Sequence, residues 1–408
     1  GANAPRFFSP RATMEKLSGY ISQGNIDTGL DNTCPSDHCF QPGRDGGPRW
    51  SMVRVPLAGI LLCISAAASA QTPGPSQPFA AELQAVFARA GVDPATISVE
   101  APEAAAFPLI DAHNHLNGDM SAEELLARME KANVEAMVLM PRHYRSPSDR
   151  GLASDEQARD YAQRHPGRFI PFVGGQRDDL APRSYVWQHM GRAEVLLGEF
   201  GEKLKSGGYA GLGEFILVHH AYDVGGGETG GELRLDVDHE LMHRIAKLAR
   251  EHRVPVLLHA EAEERPAAQA EALFAASPDA LFVWAHNCGR ASAARIAERL
   301  RRFPNLMCDL GGMLNSPRTQ VGYGKAWPRK TPWLFPVQDD AGRVVPDMKR
   351  LFEEFPDRFM IGTDTAHTPY LRLYEYRIAI FRVMLAQLKP EAARKIGFEN
   401  ARRLFKRP

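Results

Sequence analysis

The chain predicts an α/β fold, a (β/α)8 TIM barrel with long loops after strands 4 and 7. Three observations carry this. Short strand-like apolar runs alternate with amphipathic helical stretches. The runs are nearly continuous in apolar residues, as in a parallel sheet covered on both faces. Eight such units fall within roughly 300 residues, the size of a closed barrel. An open doubly wound sheet is the alternative with the same alternation.

The strands are drawn at 109–112, 136–140, 169–173, 211–217, 256–259, 282–286, 306–309 and 360–362. Helical patterns fall between them at 122–131, 155–164, 239–251, 267–275, 292–302 and 348–354. Ser121 three residues before Glu124, and Ser154 three before Gln157, have the spacing of capping boxes. Pro255 and Pro304 follow helices that have to stop there.

Both long connections leave the strand ends where barrel active sites lie. The first, 218–237, holds the run Gly225 to Gly231, which formally matches a dinucleotide-binding glycine pattern. Glu232-Leu233-Arg234-Leu235 after it lacks a helix start, so it reads as a flexible loop. The second, 312–345, carries Arg318, Tyr323, Lys325, Trp327 and Trp333 and reads as a lid or binding loop.

Before the barrel, Met52-Val53-Arg54, an apolar run to Ala67 and Ala68-Ser69-Ala70 have the layout of a secretory signal cleaved before Gln71. The expected location is therefore periplasmic or secreted. Leu62 before Cys63 argues against a lipid anchor. Residues 1–51 show no structural period and read as a disordered or non-native leader; 71–107 is a lead-in, and 108–408 the barrel. After cleavage two cysteines remain, Cys288 and Cys308, on neighbouring predicted strands. Free buried thiols and a disulfide stand equal there. With 49 basic and 49 acidic residues the formal net charge is zero, which gives no reason to expect nucleic acid or an anionic membrane as partner. No membrane span is expected after signal removal, and the oligomeric state is not encoded in any motif.

The chemistry is concentrated at predicted strand ends. His113 and His115 alternate on one face after the first strand, an arrangement that suits zinc. Glu214 lies in the fourth strand, His259 ends the fifth, His286 ends the sixth and Asp364 follows the eighth. A closed barrel brings these ends to one mouth.

These motifs resemble the metal-dependent amidohydrolase superfamily, specifically its amidohydrolase-related (amidohydrolase 2) family. The likeness covers about Pro108 to Lys406: Asp111-Ala112-His113-Asn114-His115-Leu116, His259-Ala260-Glu261, Ala285-His286-Asn287, Gly362-Thr363-Asp364 and the tail Gly397 to Phe405. The resemblance implies one or two divalent metal ions, most often zinc. It implies His113, His115, His259 and Asp364 as ligands, with His286 in or beside the shell as a stabiliser of developing negative charge. Glu214 matches the bridging carboxylate of related branches, so one-metal and two-metal sites stand even. Asp364 is the implied proton shuttle, acting on water activated by the metal.

For His189, His219, His220, His239, His243 and His252 the ordinary reading is a locally satisfied polar residue, with His239, His243 and His252 at the surface. His367 is a wall residue at most. Arg290 and Arg318 have the chemistry to clamp a carboxylate, but the base expectation for both is solvent. The leading function is an exported metal-dependent hydrolase of an amide, ester, lactone or phosphoester bond in a small molecule. Behind it stand a non-oxidative metal-dependent decarboxylase and a non-catalytic metal- or ligand-binding barrel. A deoxyribonuclease-like activity is suggested by Glu214 and opposed by the charge balance.

Overall fold

The sheet follows from the parity of its apolar residues. Ile110 and Ala112, Ala136, Val138 and Met140, and Ile170 and Phe172 share one buried cluster with Leu257, Val283, Ala285, Met307 and Met360. Their neighbours Leu109, Met137, Leu139, Phe169 and Val173 belong to a second, larger cluster that includes the buried faces of the helices. Alternate side chains thus fill the barrel interior and the strand–helix interface. Both faces are dry, so the strands tolerate almost no polar residue except at their ends.

The computed structural model describes residues 107–143, 153–177, 189–220, 233–313, 335–339, 342–365, 371 and 374–405, all within the unit Gln71–Pro408. The leader, the signal-like segment, the run 225–231, Arg318, Tyr323, Lys325, Trp327, Trp333 and His367 lie outside the described residues.

The strands are β1 (Leu109–Asp111), β2 (His115–Leu116), β3 (Val134–His143), β4 (Phe169–Pro171), β5 (Gln176–Arg177), β6 (Leu212–His219), β7 (Leu233–Arg234), β8 (Val256–Ala260), β9 (Phe282–Trp284), β10 (Leu306–Asp309) and β11 (Phe359–Met360). Parallel pairing runs β1–β3–β4 and β6–β8–β9–β10–β11. Two seams join these runs. Val173 bridges Leu212 in parallel, its amide donating to the Gly211 carbonyl at 3.0 Å. On the other side the Ala112 amide donates to the Ile361 carbonyl at 3.0 Å. These bonds set the strands in the order β1–β3–β4–β6–β8–β9–β10–β11, with β11 beside β1, and every laddered pair in that order is parallel. This is the TIM barrel. β2 and β5 extend β3 at its mouth end, and β7 adds an antiparallel ribbon to β6.

The outer helices are α1 (Ala122–Lys131), α2 (Asp155–Arg164), α3 (Met190–Ser206), α4 (Glu240–His252), α5 (Glu264–Ala276), α6 (Ala293–Arg302), α7 (Pro346–Glu354) and α8 (Tyr374–Leu385), followed by α9 (Pro390–Arg394) and α10 (Asn400–Phe405). α1 and α2 begin where the serine caps place them: Ser121 Oγ accepts from the Glu124 amide and Ser154 Oγ from the Gln157 amide, each at 3.1 Å. α3 was not legible, because Gly191, Gly198 and Gly201 dilute its helical signal. Its buried face, Ala193, Leu196, Phe200 and Leu204, nevertheless recurs at helical spacing. Phe398, Ala401 and Phe405 enter the inner cluster, with the Phe172 and Phe405 rings 5.5 Å apart. Among the described residues no helix is long and apolar enough to cross a membrane.

The connection 218–237, expected as a flexible loop, is in part a ribbon, β7 pairing with the end of a β6 that runs on to His219, and two further strands differ markedly from expectation. β3 is longer than its apolar run, because the mouth-end extension pairs with β2 and β5. β9 stops at Trp284, whereas a strand through His286 was expected. From His286 to Arg290 the chain turns in the left-handed region, with φ from +53° to +72°. Cys288 in this turn forms a disulfide with Cys308 in β10. That settles the pairing that composition left open.

Beside the mouth, Asp155 is a fully buried anchor. Its Oδ1 accepts from His143 Nε2 and the Gly174 amide, both at 2.8 Å, and its Oδ2 from Lys203 Nζ at 2.6 Å. It thus binds β3, the turn after β4 and α3 to the start of α2. Burial pushes its carboxyl up, but the His143 and Lys203 contacts outweigh this and hold it below its ordinary value. A depressed carboxyl stabilises the fold above its unfolded value, and that stability is lost as pH falls through the folded value. Asp155→Asn is expected to cost about 3 kcal/mol at neutral pH. The gap to the parent chain should narrow below about pH 3.9, which urea unfolding across pH will check.

Candidate metal centre

The end of β1 and the segment after β11 are laced together by side chains the motif supplies. Asp111 Oδ1 accepts the Thr363 amide at 2.9 Å, and Oδ2 accepts the Thr363 hydroxyl at 2.6 Å. Asn114 Oδ1 accepts the Thr365 amide at 2.9 Å. The Asp364 amide donates to the His113 carbonyl at 2.8 Å. Asp364 is thereby held from both sides in a left-handed conformation, φ +50°, facing the two histidines. Its Oδ1 lies 3.7 Å from His113 Nε2 and 3.2 Å from His115 Nε2. Burial raises the Asp111 carboxyl to about 6, the Thr363 bonds only partly opposing it.

Glu214 enters from β6 after Gly213, which sits at φ +140° and whose added Cβ would meet the Leu257 carbonyl oxygen at 2.5 Å. Only glycine fits that approach. Glu214 Oε1 lies 3.1 Å from His259 Nδ1, 3.3 Å from His286 Nε2 and 3.7 Å from His113 Nε2. Its Oε2 lies 3.5 Å from His115 Nε2 and accepts from Gln176 Nε2 at 2.7 Å.

Two compact donor groups result: His113, His115 and Asp364, and Glu214, His259 and His286. Within each, one nitrogen or oxygen per residue lies within 4.8 Å of the others. The resemblance allowed His259 either beside His113, His115 and Asp364 at a single ion or with His286 at a second one; the structure sets it with Glu214 and His286. All six residues drawn from the sequence meet at this mouth.

The outer nitrogens of three histidines are committed elsewhere. His113 Nδ1 faces Asp309 Oδ1 at 3.1 Å, His259 Nε2 faces Glu261 Oε1 at 3.1 Å, and His286 Nδ1 is 2.6 Å from the Gly311 carbonyl. The inner nitrogens, His113 Nε2, His259 Nδ1 and His286 Nε2, point at the carboxylates. His113 Nε2 is buried and makes no hydrogen bond. His259 Nδ1 and His286 Nε2 stand only 2.9 Å apart. Imidazole nitrogens and carboxylate oxygens converging in this way form a borderline-soft donor set, and a divalent transition metal fits it.

A family model described as amidohydrolase matches residues 107–407. The chain belongs to the amidohydrolase family. No curated protein matches it in sequence. Solved structures that resemble this amidohydrolase include an uncharacterised TIM-barrel protein from Bordetella bronchiseptica, at 16% identity and TM-score 0.48, covering 74% of this chain and 99% of that one. Another is the phosphotriesterase homology protein from Escherichia coli, complexed with phosphate, at 11% identity and TM-score 0.46, covering 73% and 98%. A third is 5-carboxyvanillate decarboxylase from Novosphingobium aromaticivorans, at 14% identity and TM-score 0.34, covering 76% and 99%.

The charge balance of this amidohydrolase centre fits cations. Burial pushes the His113 imidazole down, but Asp309, Glu214 and Asp364 around it more than reverse this and lift it to about 10. The negative surroundings that favour a proton on His113 are the same ones that favour a cation beside it. Burial raises Glu214 and Asp364 as well, yet His113, His259 and His286 around Glu214, and His115, His113 and His286 around Asp364, hold both well below the carboxylate range. His259 is raised against burial by Glu214 and Glu261. His286 is lowered by burial, with Arg290 and His259 adding to it.

Several residues at the centre had no assigned role. Asp309 ends β10 as His259 ends the fifth barrel strand, so its position was a usable signal. Glu261 follows His259 by two, on the same face of an extended chain. Gln176 carried no signal. Arg290, expected in solvent, is buried against Glu261. His239, His243 and His252, expected at the surface, are half-buried, and His239 Nδ1 caps α4 by accepting the Leu241 amide. His220 pairs with Glu263 at 2.7 Å, away from both donor groups.

A Cβ on Gly311 would stand 2.5 Å from His113 Nδ1 and 2.8 Å from Asp309 Oδ1. Gly311→Ala is expected to displace the His113 ring and lower the divalent metal content of the purified chain. Plasma emission spectroscopy will measure the loss, with circular dichroism confirming an unchanged fold.

Proposed function

We propose that this amidohydrolase is a two-metal hydrolase, zinc-dependent by its donor chemistry, that cleaves an amide, ester, lactone or phosphoester bond of a small molecule. The observation that carries this is the placement of Glu214. Its two oxygens look toward opposite donor groups, Oε1 toward His259 and His286 and Oε2 toward His115. A carboxylate shared between two cation positions is what a binuclear centre needs. His113, His115 and Asp364 would hold one ion, His259 and His286 the other, and Glu214 both. Bound there, divalent cations lower the pKa of water from 15.7 toward roughly 7 and polarise a carbonyl or phosphoryl oxygen.

The chain's own residues supply the rest. Asp364 keeps 24% of its side chain exposed, whereas Glu214 keeps 3%, so Asp364 is the carboxylate that meets an incoming substrate. Held ionised, it takes the proton of the attacking water and returns it to the leaving group. His286 has its Nδ1 proton committed to the Gly311 carbonyl, which favours ligation through Nε2 over donation to a developing oxyanion. Decarboxylation consumes no water and would ask Asp364 to bring a proton to the carbon that loses carbon dioxide, whereas its surroundings favour the ionised form.

Metal titration and a substrate panel test the reading. The parent chain should bind two equivalents, and Glu214→Gln should lose one. The parent should turn over at least one ester, lactone, amide or phosphoester substrate, with activity abolished by chelation. A single equivalent, or release of carbon dioxide from aromatic carboxylates without hydrolysis, overturns it.

Export is part of the proposal. The signal-like segment 52–70 and the Cys288–Cys308 disulfide support it, since disulfides persist in oxidising compartments. The mature chain should begin at Gln71 when isolated from periplasm or medium and sequenced from its N-terminus. A cytoplasmic chain that keeps residues 55–67 would refute export.

A further inference from the structure

An imidazole that holds a cation through one nitrogen needs its proton on the other, and something must keep it there. For His259 the cation-facing atom is Nδ1, which lies 3.1 Å from Glu214 Oε1 and 2.9 Å from His286 Nε2. A proton on Nδ1 would point into the space between these atoms. The opposite nitrogen, Nε2, lies 3.1 Å from Glu261 Oε1. Glu261 is fully buried, and the same Oε1 accepts from Arg290 Nη1. Both flanking carboxylates are acceptor-only, so a proton suits either nitrogen of His259; where a cation takes the place of the proton on Nδ1, the remaining proton belongs on Nε2, facing Glu261.

Arg290 reaches Glu261 from the left-handed turn that also carries His286. The turn is fixed to the segment after β8 by the Ala262 amide, which donates to the Gly289 carbonyl at 3.0 Å. The Cys288–Cys308 disulfide fixes it to β10. One buried ion pair thus spans the two chain segments that supply the histidines of the second donor group. A surface pair would add little, but here both members are out of water, so the contact between them is little screened.

We infer that Glu261, clamped by Arg290, is a positioning residue for the second cation: it fixes the Nε2-protonated tautomer of His259 and so leaves Nδ1 open to the metal. This rests on the two-metal reading above. Glu261 touches neither substrate nor metal, and acts through His259.

The test is titration of the metal-free chain with Co2+, followed by visible absorption. The double variant Glu261→Leu/Arg290→Met removes acceptor and guanidinium together, so neither member of the pair is left buried without the other. It should bind the first equivalent as the parent does and the second about 10–100-fold more weakly. Glu261→Gln keeps an acceptor in place and should retain more of that affinity. In the loaded parent chain, nitrogen NMR of the His259 ring should show a protonated Nε2 and an unprotonated Nδ1, a measurement that needs no variant to fold. A double variant that binds both equivalents like the parent, a Glu261→Gln chain as weak as the double variant, or the opposite tautomer would each overturn the inference. A parent chain that binds fewer than two equivalents overturns the two-metal reading, and this inference with it.

Discussion

The centre depends on the seam where the barrel closes. β1 and β11 share no ladder of their own. They are joined by the Ala112–Ile361 and Asp364–His113 backbone bonds and by Asp111 and Asn114 holding Thr363 and Thr365. These bonds do two jobs. They tie the last strand to the first, and they bring Asp364 against His113 and His115 across some 250 residues of chain. Residues that a sequence motif shows as spacers between ligands are the ones that align them.

A second constraint is electrostatic. Glu214, Glu261 and Asp309 are buried within a few ångströms of one another's histidines. Buried carboxylates are tolerated only with a partner in close contact. The chain supplies imidazoles as those partners, with Arg290 taking part of the load at Glu261. Burial raises Glu261, and Arg290, ahead of His259 and His286, draws it down to about 2. The interior therefore carries these carboxylates against imidazole and guanidinium partners.

Most of the architecture was legible because it rests on short-range rules. Continuous apolar runs gave the parallel strands, and Ser121 and Ser154 fixed the starts of α1 and α2. The six residues at the mouth were found because barrel topology gathers strand ends, whatever their separation in the chain. What escaped was set by tertiary contact. The left-handed turn at His286 follows an apolar run that reads as a continuing strand, and only packing and the disulfide to Cys308 reveal it. Pairing His259 with His286 was one of two arrangements the strand ends allowed, and only the direction of each inner nitrogen selects it. Arg290 was given to solvent because most arginines are there; its buried partner lies 29 residues away.

The C-terminal segment has a consequence of its own. Phe398, Ala401 and Phe405 pack among the inward side chains of the strands, and the Ile396 carbonyl accepts the Ile361 amide at 3.3 Å. The last helices are therefore part of the vessel and not an appendage. Fraying there would let water into the barrel beneath the histidines and release a neighbour of Asp364 at once. The volume under the strands is filled by the chain's last residues, so the floor of the barrel forms only when the polypeptide's end has folded back.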